Sequence, residues 1–106
     1  MARNLRRNGL EGCVRYTTLD WRDPDPAVEP AQVVIASDVL YATELPGLVA
    51  ETFARFMVPG GVGMLADPGR AWLPEVEAAA RGCGLHVEVD VVHDHFGAEA
   101  FLIRFC

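Results

Sequence analysis

The sequence predicts an α/β fold built on a mostly parallel sheet whose last strand runs antiparallel. Three observations carry that prediction. Val33, Val34, Ile35 and Ala36 form a short apolar run, β-branched at its centre, cut off by Ser37 and Asp38. Such a run reads as a strand buried on both faces. Two stretches, Leu45–Met57 and Trp72–Gly84, carry apolar residues at helical spacing and alternate with strand-like segments. The last two strand-like segments, His86–Val92 and Ala100–Phe105, are joined by a link so short that they must form an antiparallel pair.

Taken in order, Met1 to Asn8 reads as the end of a helix, with Gly9 as its terminator. Cys13–Leu19 alternates and is rich in strand formers, so a strand is expected there, ending at Asp20-Trp21. Arg22–Pro30, with its prolines and acids, is a loop. In the next helix Pro46 suits the first turn, and Leu45, Leu48, Val49, Thr52, Phe53, Phe56 and Met57 form the inward stripe. Pro59-Gly60-Gly61 is expected to stop that helix ahead of a strand at Val62–Ala66, which ends in the turn Asp67-Pro68-Gly69-Arg70. The following helix faces Leu73, Val76, Ala79, Ala80 and Cys83 inward, and His86–Val92 alternates as a strand with one wet face.

The chain is 106 residues, one domain's length, and 51% hydrophobic, enough for a core. A net charge of −6 argues against nucleic acid or an anionic membrane as partner. No run of about eighteen apolar residues occurs, and the amino terminus lacks the apolar stretch of a secretion signal, so a cytoplasmic protein is expected. Cys13, Cys83 and Cys106 are odd in number and widely spaced, which points to buried free thiols rather than disulfides or zinc. His86, His93 and His95 do not converge as metal ligands would, so no metal is expected.

Three polar clusters close predicted strands: Asp20-Trp21, Ser37-Asp38-Val39-Leu40-Tyr41, and Asp67-Pro68-Gly69-Arg70. In an open parallel sheet they would line one rim, where ligands bind. Trp21 offers a ring face to a planar base, Asp38 a carboxylate to an amine, and Tyr41 a hydroxyl and a ring at the mouth. Each also has a plain structural role: Trp21 as packing, Asp38 as a helix cap, Asp67 as a turn residue and Arg70 as a surface partner.

The three motifs, in this order over nearly the whole chain, resemble the class I S-adenosylmethionine-dependent methyltransferases. More narrowly they are similar to the seven-strand protein-lysine methyltransferases marked by Asp-x-x-Tyr, here Asp38 to Tyr41. Asp67-Pro68-Gly69-Arg70 is similar to the electron-transfer-flavoprotein β-subunit lysine methyltransferase subgroup. The resemblance implies a Rossmann-like, doubly wound sheet with the last strand inserted, antiparallel, between the two before it. It implies S-adenosylmethionine as cofactor and a protein or small-molecule amine as acceptor. It assigns Asp38 and Tyr41 to catalysis, Asp20, Trp21 and Ser37 to the cofactor, and Asp67 and Arg70 to the substrate.

The family's opening strand and Gly-rich turn, and the second strand with its ribose-binding acid, have no counterpart here. The chain therefore reads as the carboxyl-terminal portion of such a domain, inactive alone, with a bare strand edge prone to self-association. Two other classes stay open: a non-catalytic α/β interaction module, and half of a nicotinamide-dependent oxidoreductase, whose fingerprint glycines are equally absent.

Overall fold

A computed structural model of the chain describes residues 2–15, 20–22, 28–37, 45–68 and 72–106. Its elements run α1 (Ala2–Arg7), β1 (Ala31–Ser37), α2 (Leu45–Phe56), β2 (Met57–Asp67), α3 (Leu73–Gly82), β3 (Val87–His93) and β4 (Glu99–Phe105). The four strands form one sheet in the order β1-β2-β4-β3. β1 and β2 are parallel, and β4 lies antiparallel to both β2 and β3. This is the inserted last strand that the sequence led us to expect.

α1 ends as its sequence suggests: Gly9 takes φ +66, and the Leu10 N–H reaches back to the Leu5 carbonyl at 2.9 Å. The strand expected from Cys13 does not begin there. Gly12 at φ +85 turns the chain, and the N–H groups of Cys13 and Val14 both donate to the Leu10 carbonyl. An alternating segment becomes a strand only beside a partner, and here β1 is the outermost strand of the sheet. Residues 16–19, the rest of that expected strand, lie outside the described residues.

α2 does stop where expected, but Pro59-Gly60-Gly61 is not its terminator. The strand already begins at Met57, and its register to β1 jumps from Ala31–Met57 to Val33–Val62. The Pro-Gly-Gly segment is a bulge inside β2, possible because Gly60 sits at φ +81. Gly63, two residues on, has a different reason to be glycine. A Cβ there would lie 2.6 Å from Cδ1 of Phe53, so the missing side chain is what lets the phenyl ring rest on the strand.

α2 and α3 cover one face of the sheet. Val49, Ala50 and Phe53 from α2, and Val76 and Ala80 from α3, close over Leu65, Ile103 and Phe105. The rings of Phe53 and Phe105 meet at 4.7 Å, inclined by 46°. Each such side chain contributes about 1.5–3 kcal/mol by leaving water.

Three burial expectations are corrected. β1 is not buried on both faces: Val34 and Ala36 face the core, but Val33 and Ile35 are exposed, because no described element covers the other side. β3 has more than one wet face; only Val87 is buried, since α3 reaches just the start of this edge strand. The cysteines are all exposed. Cys83 falls past the last turn of α3, as its cap, rather than on the inward stripe.

Candidate functional site

Because β2 and β3 are each antiparallel to β4, and β1 is parallel to β2, three strands point the same way. Their carboxyl ends, at Ser37, Asp67 and His93, share one rim of the sheet. The two expected site residues on β1 and β2 are neighbours there, on opposite sides. Ser37 pairs with Ala66 and is exposed on the open face. Asp67, one residue further, turns to the helix-covered face beside Phe101 and is only 2% exposed. A buried carboxylate is costly unless it is bonded, and among the described residues no buried side-chain oxygen or nitrogen lacks a partner.

Asp20 closes a local turn, its Oδ1 accepting from the Arg22 N–H at 2.9 Å. Trp21 is half-buried and packs against the core. With Val34, Ile35 and Ala36 of β1 and Val49, Thr52, Phe53 and Phe56 of α2, it lines a cleft of about 210 Å³. The polar side-chain groups of its lining are the Trp21 indole N–H and the Thr52 hydroxyl, and the hydroxyl already donates to the Leu48 carbonyl at 2.7 Å. The cleft is smaller than the roughly 300–1,000 Å³ of small-molecule sites. It offers an aromatic face and an apolar wall, which suit a planar base. It offers no charge to a sulfonium or a carboxylate. The sequence pattern did not disclose this cleft, since it arises from Trp21 folding in over the edge of β1.

Asp38, Tyr41 and Arg70 lie outside the described residues. Of the three histidines, His93 Nε2 is 3.3 Å from Glu99 Oε1 at the rim, and His86 Nε2 is 3.7 Å from Glu88 Oε1 at the opposite end of the same strand. No group of three or more metal-ligating side chains assembles among the described residues. None of their helices is long and apolar enough to cross a membrane.

Neither a protein-family model nor a curated protein matches this sequence. Solved structures do match. The precorrin-6y C5,15-methyltransferase of Geobacter metallireducens superimposes on 99% of the chain with a TM-score of 0.75 at 13% identity. The chain shares that enzyme's Rossmann-like α/β fold. Fibrillarin of Aeropyrum pernix, crystallised with natively bound S-adenosyl-L-methionine, superimposes on 74% of it, with a TM-score of 0.56 at 24% identity. The chain spans 58% of the first neighbour's length and 37% of the second's.

Proposed function

We propose that the chain is the carboxyl-terminal portion of an S-adenosylmethionine-dependent N-methyltransferase whose acceptor is a protein lysine. The observation that supports this reading best is the placement of β4, antiparallel between β2 and β3 in an otherwise parallel sheet. Among the described residues nothing pairs with the outer edge of β1, and Val33 and Ile35 are exposed beside it, which supports the view that further strands of the same domain belong there. When bound, the cofactor supplies an activated methyl group. The chain's part is to hold and orient: Trp21 and the wall of β1 beside the base, Ser37 at the rim, and Asp38 and Tyr41 on the acceptor amine. Arg70 falls to the substrate side on this reading, while Asp67, 2% exposed on the helix-covered face, supports the rim from beneath and touches no substrate as it stands. Orientation of the amine is the larger part of such catalysis.

All nine basic residues are arginine and the chain has no lysine, so any methyl-lysine formed belongs to an acceptor. The reading places the protein in the cytoplasm and makes the uncovered edge of β1 a site of self-association when nothing else covers it. One observation favours a non-catalytic interaction module instead: Asp20 is engaged in a turn and Trp21 in an apolar cleft, both structural uses.

The test is radiolabelled methyl transfer to lysine-containing protein by this chain together with the polypeptide encoded upstream of Met1. Methyl-lysine is expected, and Asp38→Ala should abolish it. Full activity in that variant removes Asp38 from the site, and no transfer to any amine favours the interaction module. The chain alone should bind S-adenosylmethionine weakly. Several hydrogen bonds to charged groups, about 1.5–3 kcal/mol each, belong to strands it does not contain. Micromolar binding by a monomer in calorimetry would overturn the fragment part of the reading.

A further inference from the structure

The link between β3 and β4 holds the most exposed large apolar side chain among the described residues, Phe96, at 95% exposure. An isolated apolar residue on a mobile loop would mean little, but this loop is built. Asp94 Oδ1 accepts from the N–H groups of both Phe96 and Ala98 at 2.8 Å. The Asp94 N–H donates to the Ala98 carbonyl at 3.0 Å, and Gly97 at φ +82 closes the turn. The His93–Glu99 contact crosses the base of the hairpin. Phe96 is thus presented to solvent from a pre-ordered tip, with little entropy left to lose on binding.

Topology fixes where that tip stands. The turn follows the carboxyl end of β3, so it rises from the same rim as Ser37 and Asp67. β3 is three strand positions from β1, about 14 Å at the usual interstrand spacing. From His93 to Phe101 there is no arginine or lysine, while Asp94 and Glu99 give the tip acidic character.

We infer that Phe96 is a docking anchor for a polypeptide acceptor: an extended, basic segment that lays an apolar side chain on the β3–β4 tip while its lysine reaches the rim at the end of β1. This rests on the methyltransferase reading and adds to it a second contact point and a spacing. At about 3.4 Å per residue, a separation of about 14 Å puts the apolar side chain about four positions from the lysine. The acidic tip favours a basic peptide and repels a phosphate backbone. Aromatic residues, Phe among them, are enriched at the cores of protein interfaces, where a few anchors carry most of the binding.

The experiment uses an array of short lysine-centred peptides in which one Phe or Leu is walked along otherwise polar, basic flanks, probed with the 106-residue chain. Retention should peak with the apolar residue about four positions from the lysine. Phe96→Ala should weaken it by about tenfold or more, and Phe96→Leu should keep most of it. The Phe96→Ala chain should keep the parent's unfolding midpoint, because the side chain packs against nothing. No dependence on the apolar position, or equal retention by Phe96→Ala, overturns the inference. The two readings separate cleanly. Methyl transfer to protein that Phe96→Ala leaves unchanged removes the docking role and keeps the enzyme. Position-dependent retention, with no methyl transfer even when the upstream polypeptide is added, keeps the docking role and removes the enzyme.

Discussion

The two faces of the sheet are made of similar residues and have opposite fates. On one, Leu65, Ile103 and Phe105 are fully buried beneath α2 and α3. On the other, the alternation of the same strands brings Val33 and Ile35 alongside Val62, Met64, Ala66 and Leu102, and among the described residues neither α2 nor α3 lies above them. Ile35 is 75% exposed. Apolar character across the open face also fades from β1 towards β3, where the Glu88–Arg104 ion pair and Asp90 take over. Sequence pattern therefore shows what a face is suited to meet, while the elements present decide whether it meets it.

The largest break in this comparison should come from Phe105→Ala. Removing a fully buried ring next to Phe53 should cost about 3–5 kcal/mol, a large part of the roughly 5–15 kcal/mol that holds a domain together. Ile35→Ser, a change of similar character on the open face, should change the unfolding free energy from urea titration by no more than about 0.5 kcal/mol. Sedimentation should show it less self-associated than the parent. Equal destabilisation by the two would mean that the faces are not different in the way described.

A smaller effect sharpens the comparison from within the covered face. Gly63→Ala adds one methyl group where Phe53 already rests, so Phe53 or Met57 must shift, at about 1–3 kcal/mol. Urea unfolding should detect this loss, and no change would show that α2 is free to lift from β2.

The smallest effect belongs to the open face near β3. The Arg104 guanidinium, by hydrogen bond and then by charge, holds the Glu88 carboxyl below its ordinary value near 4.5, with a lesser contribution from His86. A carboxyl held low in the folded chain adds stability above its unfolded value and loses it as pH falls through the folded one. Glu88→Gln should therefore be slightly less stable than the parent at neutral pH, and the gap should close below about pH 4.5. Both side chains are about half exposed, so the gap is small. A gap that widens on acidification would contradict the assignment of the pair.

The elements whose stabilising partners lie within the described residues were the legible ones. The stripe on α2 reads directly because Val49, Phe53 and Phe56 bury themselves against residues of the same chain. The short link after His93 leaves β3 and β4 no arrangement but an antiparallel pair. Where no described element supplies a partner, the pattern misled. The apolar run of β1 reads as buried on both faces and is half exposed, and the strand expected over Cys13–Leu19 does not begin at Cys13, where the chain turns. The bulge at Pro59-Gly60-Gly61 escaped for another reason, since the residues that end a helix are also those that let a strand step out of register. At the rim, Asp67 was legible as the end of β2 but not as a buried carboxylate, because its depth depends on Phe101, far along the chain.

The position of β4 bears on how the chain comes together. β4 follows every other element in sequence yet lies inside the sheet, joining β2 to β3. During synthesis, β1 and β2 can pair through α2 before β3 has a neighbour at all. Hairpin closure between β3 and β4 is local and takes roughly microseconds, whereas docking that hairpin onto β2 closes a longer loop and is the slower event. Until β4 emerges, both β2 and β3 present unpaired edges, and that interval is when the nascent chain is most open to wrong pairings.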